Sequence, residues 1–295
     1  MKAMTAIVRV LVRALTAVAV LVVVVAAVMA VAVWAAKRGT AEMQRDMAEA
    51  ATRGRVAIRP VNLSSLPEPV ARYFAQVLPG GQRPIRATRI RWEGEFRLDP
   101  DRAWSPFTAN QQFSSVPPAF VWDASISLIP LVPVLVRDHY SRQSAGMRAR
   151  LGGIIPVVNA EGTPELASSA LARWLGEAVW FPTALLPPGM GGSVTWVAID
   201  DSTAEATVTD GRVSVRAEFG FASSGLIRSM TALRYRDVDG EPVLTRFEGL
   251  YRDYFRQGGI LVPGEAEVAW LHPLGRFPYW RGRPTEITWQ VEPPR

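Results

Sequence analysis

The chain of 295 residues has no cysteine and only two histidines. Without cysteine there are no disulfides, no thiolate metal ligands, no thiol nucleophile and no lipid-attachment cysteine of the lipobox type. His139 and His272 alone are too few for a structural zinc site of ordinary composition, and no H-E-x-x-H spacing surrounds either. Lysine is nearly absent as well, because Lys2 and Lys37 both flank one apolar segment and none follows. Schiff-base chemistry, a Walker-type lysine and S-x-x-K catalysis are thereby excluded. No G-x-S-x-G elbow occurs, so a Ser-His-Asp hydrolase would need scattered residues around a histidine. No metal and no cofactor are expected.

Charge of one sign is also scarcer than the net value of +6 implies. Five of the 33 basic residues, namely Lys2, Arg9, Arg13, Lys37 and Arg38, bracket the apolar segment, and the remaining 28, all arginine, face 27 carboxylates. A near-neutral remainder provides no basic groove for phosphates, so nucleic acid is not an expected partner.

What the chain does have is a run from Ala14 to Ala36 with no charge and Thr16 as its only polar side chain. At about 1.5 Å per residue such a helix crosses a hydrocarbon core of about 30 Å. Trp34, Lys37 and Arg38 close it as interfacial anchors. The competing reading is a cleaved signal peptide with Ala30-Val31-Ala32 as its small-residue site, although the run is longer than the usual apolar region. The organisation expected is a basic tail over 1–13, a membrane helix over 14–36, a juxtamembrane helix and linker over 37–59 and a folded domain over 60–295. A short tail with three cations is hard to export whereas long domains translocate readily, which favours the tail inside and the domain outside. The expected location is therefore the bacterial cytoplasmic membrane, single-pass, with the domain extracytoplasmic.

Thr40 to Arg53 reads as a polar helix continuing from the span and ended by Gly54. Ser65 with Glu68 forms an expected capping box for a helix carrying Val70, Phe74 and Val77, stopped by Pro79-Gly80. Strict alternation then sets in over Thr88 to Leu98, with Ile90, Trp92, Phe96 and Leu98 on one face and Arg89, Arg91, Glu93, Glu95 and Arg97 on the other. The same period returns over 120–128, 132–136 and 213–221. Further strands are expected near 193–199, 203–209, 227–237, 244–254, 265–272 and 285–291, about ten in all. Asp210-Gly211, Ser224-Gly225 and Asp239-Gly240 punctuate them as turns of antiparallel neighbours. Asp237 to Gly240 resembles the start of a calcium loop, yet the later ligands are missing and a hairpin turn is expected. Gly189, Gly191 and Gly192 read as a flexible connection. Pro164 to Trp180 breaks the period with a broad apolar helical face. The fold class expected is α+β: a large curved antiparallel sheet with one covering helix.

Trp92, Trp122, Trp196, Trp270 and Trp289 fall in separate expected strands. In a sandwich they fill the core, whereas on a curled sheet without a facing sheet they line an apolar concavity. Arg173 and Glu177 lie four apart on the helix, bracketed by Trp174, Leu175 and Trp180. Asp138 and His139 are adjacent in a strand, point to opposite faces and form no relay.

Leu66-Pro67-Glu68-Pro69-Val70-Ala71-Arg72-Tyr73-Phe74, Trp104-Ser105-Pro106-Phe107 with Gln111 and Phe113, and Phe120-Val121-Trp122-Asp123-Ala124 form a series of motifs. It continues in the helix stretch Arg173 to Leu185 and in Pro263-Gly264-Glu265-Ala266-Glu267-Val268-Ala269-Trp270. These motifs resemble an uncharacterised bacterial domain-of-unknown-function family over residues 60–292. In architecture the chain is similar to the LolA/LolB-like lipoprotein carriers, a resemblance that implies a half-barrel holding acyl chains in an apolar concavity. The chain departs from the LolB type in replacing the lipid-attachment cysteine with a membrane helix, which leaves lipoprotein transport itself unsupported.

The function expected is a membrane-anchored, extracytoplasmic protein that binds a lipid or another hydrophobic ligand in a half-barrel cavity. Trp92, Phe96, Trp122, Trp196, Phe219 and Trp270 are the candidate wall, with Arg173 and Glu177 orienting a head group. The alternatives are an envelope hydrolase using Glu177 or Asp138 as acid/base, and an envelope scaffold that binds a protein through a sheet edge or face.

Overall fold

The computed structural model describes residues 2–53, 62–129 and 132–293. Helix α1 spans Lys2–Arg53 without a break, so the apolar run and the polar segment after it form one rod. It is long and apolar enough to cross a membrane. Gly54, expected to end it, and the expected domain start at residue 60 lie outside the described residues. After a single 3-10 turn, Leu63–Ser65, comes α2 (Glu68–Val77). The expected capping box does not form. Pro67 takes the cap position with no side-chain bond, Ser65 instead donates to Asn62 O at 2.8 Å, and Glu68 pairs with Arg72. Pro69 is what starts this helix, since a missing N–H costs nothing in the first turn.

The first group of strands is β1 (Ile85–Phe96), β2 (Ser105–Ser114), β3 (Ala119–Ile129), β4 (Val132–Ser141), β5 (Ser144–Leu151) and β6 (Ile155–Glu161). Helix α3 (Pro164–Glu177) and two 3-10 turns, Ala178–Trp180 and Pro182–Leu185, separate them from a second group. That group is β7 (Val194–Asp200), β8 (Thr203–Asp210), β9 (Val213–Phe221), β10 (Ile227–Val238) and β11 (Glu241–Arg252). A small hairpin, β12 (Phe255–Gln257) with β13 (Ile260–Val262), precedes β14 (Glu265–His272) and β15 (Gly275–Val291).

Thirteen strands form one sheet in the order β6-β5-β4-β3-β2-β1-β15-β14-β11-β10-β9-β8-β7. Two meanders are thus joined through β14 and β15, and neighbouring strands pair antiparallel throughout. Across the β1–β15 seam the outer face carries a ladder of ion pairs, Arg91 with Glu286, Glu93 with Arg283 and Glu95 with Arg281. Each exposed pair adds little stability, but together they disfavour a slipped register. The expected turns fall where the pairing places them, for example between Val238 and Glu241, where Asp239 and Gly240 both have positive φ and Asp237 Oδ1 accepts from Gly240 N at 3.1 Å.

The sheet curls enough that α3 packs on β9 and β10 near one edge and on β3, β4 and β5 near the other. Bulges at Arg91/Trp92 and Val268/Ala269 bend the middle strands, and Pro284 and Pro278 occupy the partner positions where a ladder N–H is dispensable. Gly94 faces Gly282 across the same seam. A Cβ on Gly282 would lie 2.8 Å from the Trp280 ring, and one on Gly94 2.8 Å from the Phe107 ring, so the two glycines are the seat on which these aromatics lie. Side chains close the gap between the two meanders: Tyr140 Oη donates to Asp210 Oδ2 at 2.8 Å, and Gln143 Oε1 accepts from Arg212 N at 2.9 Å.

Helix α3 starts at Thr163, whose hydroxyl accepts from Leu166 N at 3.1 Å. It buries Leu171, Trp174 and Leu175 in the concave face of the sheet. Indole N–H groups peg this layer to backbone carbonyls, Trp174 to Ser114, Trp180 to Pro263, Trp289 to Trp180 and Trp196 to Leu185, at 2.8 to 3.0 Å. The outer face over β1–β3 is covered by the C-terminal part of α1, where Met43 and Met47 pack on Ala119 and Val121.

Candidate functional site

On the concave face the alternation that buries Trp122 on β3 and Trp92 on β1 also turns Asp138 of β4 and Gln111 of β2 inward. Arg173 and Glu177, one turn apart on α3, descend onto this row. Arg173 Nη1 donates to Asp138 Oδ2 at 2.6 Å and its Nε to Glu177 Oε1 at 3.1 Å. Gln111 Nε2 donates to Glu177 Oε2 at 2.9 Å, and its Oε1 accepts from Trp92 Nε1 at 2.9 Å. The guanidinium stacks 5.0 Å from the rings of both Phe120 and Trp122. These three charged side chains keep 13 to 18% of their surface exposed, so the cluster is shielded but not sealed.

Burial pushes the Glu177 carboxyl above its ordinary range, with Arg173 opposing the shift. For Arg173 burial alone would weaken the charge, but the Glu177 and Asp138 carboxylates outweigh it and raise the group, which stays cationic. One donor in this polar row has no partner: the buried Trp122 Nε1–H. Since each of the other indoles just described is paired, this N–H is an unmet demand for an acceptor.

A second arginine stands across the concavity. Arg234 of β10 lies 4.4 Å over Phe247 and 5.7 Å from Trp270, and its Nε donates to Ser169 O at 2.9 Å. Tyr279 is stacked on Trp270 at 5.7 Å and feels both cations: burial raises its hydroxyl, and both arginines pull it back. Phe96 meets Tyr279 at 6.0 Å, and Trp280 meets both Trp92 and Phe107 at 5.6 Å. From Arg173 toward the β3–β4 end of the sheet the inner face becomes aliphatic, Ala124 opposite Val136, Ile126 opposite Val134, and Leu151 beside Val134.

The expected residues thus separate into two places. Trp92, Phe96, Trp122, Trp270, Arg173 and Glu177 share the concavity around α3. Trp196 and Phe219 lie further along the same continuous core: they pack on each other at 5.3 Å, and Trp196 also meets Phe221, itself in contact with Tyr73 of α2. Arg234, Tyr279 and Trp280 belong to the site without having stood out in the sequence, and Gln111, which stood there only as part of a family motif, joins them. Arg234 had a readable signal, since it follows Met230 and Ala232 on the apolar side of its strand. His139 is on the opposite face from Asp138, half-buried with Nδ1 unpaired. Among the described residues no cluster of three metal-ligating side chains occurs.

Fold and site define a curled antiparallel half-barrel filled by one helix, with a shielded charge cluster in an aromatic concavity. The chain belongs to the family of unknown function DUF6544, whose model matches residues 57–282. Similar solved structures include a LolA superfamily protein from Nitrosomonas europaea, at 12% identity and a TM-score of 0.39, covering 79% of this chain and 96% of that one. Another is a DUF1329 family protein from Desulfovibrio piger, at 10% identity and a TM-score of 0.38, covering 70% of this chain and 87% of that one. A search of curated proteins gives no match.

Proposed function

We propose that this protein is a membrane-anchored binder of an amphipathic lipid, held by α1 in the bacterial cytoplasmic membrane with residues 60–295 as an extracytoplasmic half-barrel domain. The observation that carries the reading is the buried, unpaired Trp122 N–H beside Arg173, placed where the aliphatic track of Ala124, Ile126, Val134 and Leu151 begins. A polar head that accepts hydrogen bonds satisfies Trp122 and Arg173, while its chain runs along the track. Each methylene taken from water adds about 0.8 kcal/mol, so affinity comes from the chain and orientation from the head. The aromatic wall of Trp92, Phe96, Trp270 and Tyr279 supplies the other side. Helix α1 supports anchoring by its length and composition, and its three-cation tail supports the inside position.

The carboxylates favour a positioning role over acid/base chemistry, because both oxygens of Glu177 accept hydrogen bonds and Asp138 is engaged by Arg173. Native mass spectrometry of the full chain from a bacterial membrane, followed by lipid extraction, tests the proposal. A reproducible lipid adduct is expected, lost in the Trp122→Ala/Trp270→Ala double variant and weakened in Trp122→Phe, which keeps the ring and removes only the donor. A folded wild-type chain that stays lipid-free when challenged with membrane lipids overturns the reading and favours a scaffold acting through a sheet edge.

A further inference from the structure

Where α1 meets the β5–β6 turn, the sheet reaches past the polar end of the apolar run. A Cβ on Gly152 would lie 2.9 Å from Met29 Cε, and one on Gly153 would lie 3.2 Å from the Val33 side chain and 3.4 Å from its backbone nitrogen. Met29 and Val33 both belong to the uncharged stretch that ends at Lys37. At about 1.5 Å per residue they stand about 12 and 6 Å inside that boundary. The boundary itself is marked by Trp34, 60% exposed, with the Arg38 guanidinium 5.5 Å from its ring.

The side chains on this turn and beside it are apolar and uncovered. Ile154, Ile155 and Val157 are 41, 58 and 61% exposed, and Ile129 at the end of β3 is 48% exposed. No charged residue occurs between Leu151 and Val158, whereas Arg150 precedes the stretch and the Arg148–Glu161 ion pair follows it up the hairpin. β6 is also an edge strand of the sheet. In water, a flat apolar edge of this kind invites strand addition and aggregation. Beside a helix in hydrocarbon it has a different solvent.

We propose that the β5–β6 turn, with Ile129 beside it, inserts into the bilayer next to α1, so that the domain sits on the membrane surface rather than hanging from a tether. The partner is the lipid bilayer itself. The inference rests on the anchor reading of α1, and it deepens the lipid-binding proposal, because Leu151 ends the aliphatic track at this same turn. A lipid could then pass between bilayer and concavity without crossing water.

The absence of native cysteine makes the test direct. Single variants Val25→Cys in the span, Ile155→Cys and Val157→Cys on the turn, and Ser144→Cys at the opposite end of β5 are labelled with an environment-sensitive fluorophore. The full-length chain is then reconstituted into phosphatidylcholine/phosphatidylglycerol vesicles with or without doxyl-labelled lipid. Labels at 155 and 157 should emit to the blue and be quenched by shallow doxyl groups by at least about twofold more than the label at 144, as expected inside the hydrocarbon boundary. Quenching at 25 with none at 155 and 157 overturns the proposal and leaves the anchor standing. No quenching at 25 overturns the anchor reading and the proposal with it. Equal quenching at 144 and 155 overturns a contact confined to the turn.

Discussion

Arg173 on the central helix reaches Asp138 on the third strand from the sheet edge at 2.6 Å, and this bond joins helix and sheet beside the aromatic rings of Phe120 and Trp122. The same guanidinium holds Glu177, so removing it leaves two shielded carboxylates facing each other.

Arg173→Gln should therefore lower stability by roughly 3 kcal/mol, and Asp138→Asn by less, because Glu177 still pairs with the arginine. In urea unfolding the double variant should cost clearly less than the sum of the two. Additive losses would show that the three side chains do not act as one unit.

Gly282→Val places a branched side chain where the Trp280 ring lies, 2.8 Å from the new Cβ. The ring must leave Trp92 and Phe107, at an overpacking cost of about 1–3 kcal/mol. The expected readouts are a lower urea midpoint and tryptophan emission shifted to the red. Unchanged values would mean that the glycine pair is not the seat of that ring.

His139 should make the protein sensitive to acid. Burial lowers its pKa below the ordinary 6.5, so the folded chain keeps the ring neutral while the unfolded chain protonates it. The stabilisation is complete above 6.5 and is lost as the pH falls toward the lowered value. Asp138 and Glu161 soften the shift, and Arg137 and Arg148 add to it. In His139→Phe, whose ring fits the same space over Gly146, the loss of stability between about pH 8 and pH 5 should shrink relative to wild type. Identical pH profiles would remove His139 from this role.

How much of this was legible follows from which residues carry the alternation. Ile90, Trp92 and Phe96 against Arg91, Glu93 and Glu95 read as a strand because one face is apolar and the other forms ion pairs. The helix at Pro164 was equally plain, since its cap and apolar face coincide. β2 escaped because its inward position Gln111 is polar: a residue recruited to hold Glu177 and Trp92 erases the pattern that would mark its strand. β5 and β6 lack bulky alternating side chains, with Ala145, Gly146 and Ala149 in one and an all-exposed apolar run in the other. The first half of β15 was hidden by Pro278 and Pro284, which are tolerated only because bulges receive them, and Tyr279 and Trp280 were hidden with it. Trp196 and Trp122 look alike in sequence. What separates them is tertiary: one indole N–H finds Leu185 O and the other finds nothing.

The place of β15 between β1 and β14 has a consequence for how the molecule is made. β1 is the first strand of the sheet to be synthesised and β15 the last, yet they are direct neighbours along eleven matched residues. The seam joining the two meanders cannot form until synthesis has passed Val291, so each meander waits with an open flank while its companion emerges. Contacts this distant in sequence slow folding. During that interval the unfinished flanks need protection from neighbouring chains, and a chain truncated before β15 should leave two meanders that cannot meet.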